Sequence, residues 1–118
     1  GIFTADFYDA KTGFIAGGNY EQLSQNFGNK AFTKDGGKTW KLIAEKEGFG
    51  YTSCVQYVPK SNGQQLVTVG ASGVFYSSNS GEKWNKLSDD TTIYTIRFMD
   101  DSTAIAGGKN KIVRLNFK

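Results

Sequence analysis

Histidine is missing from all 118 residues. With it go imidazole bases, Ser-His-Asp and Cys-His nucleophile systems, and His-ligated zinc. Cysteine occurs once, at Cys54, so no disulfide can close within the chain and no thiolate cluster can hold a metal. A lone thiol of this kind reads as a small buried apolar group. Proline also occurs once, at Pro59, which excludes a proline-rich linker. No apolar run is long enough for a transmembrane helix. Neither sign of charge dominates: 14 basic residues face 11 acidic ones, for a net charge of +3. The basic residues form no stripe, which argues against a nucleic-acid partner. The Gly-Gly pairs close apolar runs and lead into further strands, so they cradle no phosphate and imply no nucleotide cofactor.

Glycine (15 residues) and aromatics (14%) are plentiful instead. The aromatics supply area to bury, and the length is that of one ordinary domain. No 3.6-residue apolar stripe persists over three turns. Short apolar runs alternate with glycine-rich turns, which is the all-β signature.

These runs repeat. Thr33-Lys34-Asp35-Gly36-Gly37-Lys38-Thr39-Trp40 aligns without a gap on Ser77-Ser78-Asn79-Ser80-Gly81-Glu82-Lys83-Trp84, and the two tryptophans are 44 residues apart. That spacing falls in the ~40–50 residue period of propeller blades. Glycine-closed apolar runs recur upstream at 13–18, 66–70 and 103–108, preceded by alternating strands at 3–8, 51–58 and 93–99. Each unit therefore reads as four strands joined by turns, with the tryptophan segment forming the turn between the third and fourth. Three units follow, 3–43, 51–87 and 92–118, the last lacking the tryptophan turn and a fourth strand.

The segment Ser/Thr-x-Asp-x-Gly-x-Thr-Trp resembles the Asp-box, or BNR repeat, of sialidase-like propellers. The first copy matches at Thr33, Asp35, Gly37 and Trp40. The second keeps Ser77, Gly81 and Trp84 but has Asn79 for the acid and Lys83 for the threonine. A short acceptor at Asp35 or Asn79 suits the backbone N–H groups of a tight turn, and glycine suits a left-handed residue. Each indole is expected to fold under its turn and fill the blade's outer core, so the boxes read as turn staples rather than ligand sites. The wider pattern of Phe-x-Asp, a glycine-bounded apolar run and the box is similar to the photosystem II stability/assembly factor family. The resemblance implies an all-β fold of radial four-stranded antiparallel blades, the chain forming a partial, C-terminal arc of about three.

Propellers close with typically 4–8 blades. An arc leaves two apolar faces wet, so the remaining blades are expected from a longer chain or from another copy. Gly1, in place of an initiator methionine, suggests a chain cut from something longer. The third unit stops where a strand donated from the opposite terminus would add.

In this architecture ligands usually use the rim formed by the connections between second and third strands and between blades. That places Tyr20 and Phe27 (loop 19–29), Glu47, Phe49 and Tyr51 (loop 45–51), and loop 88–92 at the candidate site. Phe27 and Phe49 either present rings to a ligand or plug their loops onto the blade. Asp6, Gln56 and Arg97 occupy equivalent innermost positions. They line a polar pocket or, on the rule that buried polar groups find partners, form a layer between blades.

The function expected is a non-catalytic scaffold binding a protein or carbohydrate, with no cofactor and no metal. The alternative is a fragment of a sialidase-like or xyloglucanase-like glycoside hydrolase. Such an enzyme needs an arginine cluster and paired carboxylates, and this chain holds only Arg97 and Arg114. Asp-box relatives are mostly exported, which implies a bacterial periplasmic, cell-surface or secreted location.

Overall fold

A computed structural model describes residues 1–117; Lys118, the last residue of the third unit, lies outside the described residues. Eleven strands account for the regular structure, with no helix among the described residues. They are β1 (Ile2–Phe7), β2 (Gly13–Gly17), β3 (Lys30–Thr33), β4 (Lys41–Leu42), β5 (Cys54–Tyr57), β6 (Leu66–Val69), β7 (Val74–Ser77), β8 (Asn85–Ser88), β9 (Ile93–Phe98), β10 (Thr103–Gly108) and β11 (Lys111–Asn116). Three antiparallel meanders result: β1-β2-β3-β4, β5-β6-β7-β8 and β9-β10-β11. They stand side by side in a slab of 37 × 34 × 19 Å. This is an all-β partial arc of about three propeller blades.

Local chemistry fixes the turns. The carboxylate of Asp9 accepts the N–H groups of Lys11 and Thr12 between β1 and β2. Asp100 does the same for Ser102 and Thr103 between β9 and β10. These are Asx turns, in which a short acceptor substitutes for backbone partners. At two places the strands are shorter than the alternation predicts. Residues 51–53 do not extend β5: Tyr51 donates to the Leu23 carbonyl in the β2–β3 loop and Thr52 to the Gly17 carbonyl of β2 instead. β4 ends after two residues, and the left-handed backbone of Ala44 and Lys46 soon turns the chain away.

Both faces of the middle sheet are buried. Phe14, Ala16, Phe49, Val55, Tyr57, Leu66 and Phe75 pack between the first and second sheets. Val58, Val67, Val69, Val74, Ile93, Ile96, Ala104 and Ala106 pack with Cys54 between the second and third. Burial on two faces explains why all four residues of β6, Thr68 included, are buried. The outer faces are open: Phe3, Phe7 and Leu42 are exposed on the first sheet, Ile105 and Ile112 on the third.

Trp84 sets the first seam. Its ring meets Phe49 edge-on at 4.9 Å and Phe14 at 5.8 Å, so a residue of the second sheet plugs the first. Trp40 holds the equivalent position in the first sheet but meets only Phe7 among rings, at 6.0 Å. Trp84→Ala is therefore expected to cost about 3 kcal/mol, near the low end of buried aromatic truncations. Trp40→Ala, at the open face, should cost clearly less. Paired denaturant melts of the two variants check the order.

Candidate functional site

The two box turns are built alike. In the first, the Thr33 hydroxyl donates to Asp35 Oδ1 at 2.8 Å and accepts the Gly37 N–H at 3.0 Å. Asp35 Oδ1 then accepts the Thr39 N–H at 2.9 Å, and Trp40 Nε1–H donates to the Gly37 carbonyl at 3.1 Å. In the second, Ser77, Asn79, Lys83, Trp84 and Gly81 make the same bonds at 3.0, 2.9, 2.9 and 2.8 Å. Gly37 and Gly81 have φ of 89° and 90°, where a side chain is strained. A Cβ on Gly81 would also lie 2.5 Å from the Phe14 ring.

The copies differ in charge. Asp35 Oδ2 accepts the Thr39 hydroxyl at 2.6 Å, and the Thr39 and Thr33 bonds together hold its carboxyl down to about 2. Asn79 has no charge to hold. Lys83 reaches out instead to Glu47 Oε1 at 2.8 Å, tying the second box to the preceding interblade loop.

The innermost polar residues are distributed between junctions. Asp6 Oδ2 accepts the Tyr57 N–H at 2.7 Å, and Gln56 Oε1 accepts the Phe98 N–H at 3.2 Å. Burial raises the Asp6 carboxyl above its ordinary value against the pull of the Tyr57 and Phe7 amides and of Arg97. Arg97 lies exposed at the end of this series, its guanidinium 3.5 Å from the Ile96 carbonyl.

At the opposite rim, loops 19–29 and 45–51 brace one another. Glu45 Oε1 accepts the Gly28 N–H at 2.8 Å, Lys46 donates its N–H to Asn26, and Tyr51 to Leu23. Tyr20 and Phe27 are 74% and 48% exposed. Tyr51 is half-buried, its ring 5.7 Å from that of exposed Phe3, and Tyr94 is exposed on the third sheet. Phe49 behaves differently from the ring-presenting expectation. It is 1% exposed and plugged between Phe75, Trp84 and the Lys30 ammonium, which lies 4.6 Å from its ring centre. A side chain so enclosed is out of a ligand's reach.

Lys30 is the residue that composition conceals. It is fully buried, donating to Asn29 Oδ1 at 3.1 Å and to the Phe49 carbonyl at 3.3 Å. Burial lowers its ammonium from 10.5 to about 8, against the opposing pull of Glu45 and Glu47. The signal lay in the repeat: three residues before Thr33 stands Lys30, where three before Ser77 stands the core residue Val74. Among the described residues no group of three His, Cys, Asp or Glu side chains is placed to hold a metal. No helix of the described residues is long and apolar enough to cross a membrane.

These features define a β-propeller of Asp-box type by fold. No family model and no curated protein matches the sequence significantly. Among solved structures, the chain is similar to YCF48 in a structure of that protein bound to a D1 peptide. The TM-score is 0.74 and the identity 18%, over 98% of this chain and 37% of that one. The chain thus spans little more than a third of the length of the protein it superimposes on.

Two titrations test the geometry. The Asp35 carboxyl is depressed in the fold, so its contribution is complete above the ordinary 3.8 and is lost as pH falls toward about 2. The Tm gap between wild type and Asp35→Asn should be open at neutral pH and close across that window. Lys30 runs the other way: its ammonium opposes folding below pH 8, and stability returns as pH rises from about 8 toward 10.5. Relative to Lys30→Met, the wild type should gain Tm through that interval, as followed by thermal melts.

Proposed function

We propose that the chain is part of a non-catalytic propeller scaffold that binds an extended peptide segment of a protein partner, its ring completed by further blades. The observation that carries this is the pair of exposed rings on the mutually braced loops 19–29 and 45–51, Tyr20 and Phe27, with Tyr51 half-buried nearby and Tyr94 exposed at the start of β9. Amphipathic rings on braced loops give contact area at small entropic cost, which suits a peptide. The peptide-bound state of YCF48, a protein of like fold, supports the same class of ligand.

The carboxylates also favour a scaffold over a glycosidase. Asp6 is engaged by the Tyr57 amide, Glu45 by the Gly28 amide and Glu47 by Lys83. Each is committed to holding two parts of the fold together, whereas glycoside hydrolysis needs a facing pair free to exchange protons.

A tiled peptide array probed with the purified protein tests the proposal, followed by calorimetric titration of the retained peptides. Tyr20→Ser with Phe27→Ser should weaken binding by about tenfold or more with little change in Tm, the size expected for aromatic anchors. Turnover of a chromogenic glycoside, or retained peptides indifferent to both substitutions, would sink it.

A further inference from the structure

Both internal junctions are stitched along the first strands with one offset. Thr4 and Asp6 of β1 accept the N–H groups of Val55 and Tyr57 on β5. Cys54 and Gln56 of β5 stand at the same two positions: Gln56 accepts the Phe98 N–H on β9, while Cys54 Sγ donates to the Ile96 carbonyl. Thr95 and Arg97 follow on β9, both exposed; the Thr95 hydroxyl turns back to Cys54 Sγ at 4.0 Å, which leaves Arg97 on the open face of the third sheet. A guanidinium has five N–H donors and no acceptor. Arg97 therefore cannot receive an amide as Asp6 and Gln56 do; beyond the Ile96 carbonyl at 3.5 Å, its donors require acceptors from whatever covers it.

The surroundings sharpen that requirement. Register places Arg97 directly across Ile105 from Arg114. Ile105 is 38% and Ile112 81% exposed on this face. No Asp or Glu occurs on β9, β10 or β11. Neither arginine forms an ion pair among the described residues. Two positive charges thus flank an apolar strip, on a face whose counterparts in the first and second sheets are each covered by the next sheet.

Resting on the reading that further blades complete the ring, we propose that this face docks a propeller blade carrying a carboxylate received by Arg97. At the position shared by Asp6, Gln56 and Arg97 the polarity reverses: Asp6 and Gln56 each accept an N–H of the incoming strand, and Arg97 can only donate to it. A carboxylate suits the site because it engages the guanidinium through two charge-assisted bonds and offsets the cost of covering it.

The test uses the full-length natural protein bearing Arg97→Lys, treated with a zero-length carbodiimide and mapped by mass spectrometry. The Lys83–Glu47 and Lys111–Asp90 pairs report that the reagent has acted. An amide from the introduced amine to an Asp or Glu outside residues 1–118 is the expected result. With those controls positive, amides confined to residues 1–118 (Asp6 above all) or none from that amine would overturn the proposal. Arg97→Gln supplies a second readout in the same protein. Made beside Asp6→Asn, which removes the carboxylate that Arg97 attracts within the arc, it should still lower the Tm of that background at neutral pH and match it once pH drops below the carboxylate range; an unchanged neutral Tm also overturns the proposal. The intact mass and peptide map show beforehand whether further repeats exist. Their lack would remove the underlying reading, whereas their presence with a silent Arg97 removes only the carboxylate.

Discussion

Everything in this arc depends on covering the flat faces of its sheets. A single meander of short strands has too little core to stand alone, and its stability comes from apolar faces pressed together. Trp84 is the clearest instrument of that contact. Its indole N–H is satisfied by the Gly81 carbonyl of its own turn, which frees the ring to enter the neighbouring sheet between Phe14 and Phe49. The left-handed Gly81 serves both ends: it permits the turn, and it leaves room for the Phe14 ring.

The second box shows how a turn tolerates the loss of its acid. The backbone amides that define it require an acceptor, not a charge, so Asn79 keeps the geometry Asp35 has. The threonine hydroxyl that donates to the second carboxylate oxygen of Asp35 has no such oxygen to donate to opposite the Asn79 amide nitrogen. Lys83 occupies that position and spends its charge on Glu47, an exposed pair that fastens the box to the preceding interblade loop more than it stabilises the whole. One motif thus serves as a closed turn in one blade and as a tether in the next.

The fold was largely legible in the sequence because its period is carried by few residue types with strong backbone consequences. The box residues and the Phe-x-Asp turns place the strands to within a few residues. The misfits have specific causes. Residues 51–53 alternate like a strand, but their amides go to Leu23, Gly17 and Val69, a division only tertiary structure decides. The candidate site was less legible. Asp6, Gln56 and Arg97 were recognisable as equivalent, yet the sequence left open whether they face a lumen or a neighbour. The structure places the Asp6 and Gln56 oxygens on amides of the next sheet. Phe27 and Phe49 looked alike as loop aromatics. Phe49 is enclosed because Trp84, distant in sequence, closes over it, and no local pattern records that.

One edge carries a hazard of its own. β11 pairs with β10 alone, so one side of its backbone presents amides and carbonyls to whatever extended chain arrives. Strands so exposed invite self-templated stacking, and proteins deter it with charges placed along them. Arg114 and Lys111, the latter already paired with Asp90, are such gatekeepers, set among Ile112, Val113 and Leu115. Their protection is electrostatic and weakens as salt shortens the Debye length. The isolated arc is thus guarded against fibrous association chiefly in dilute electrolyte.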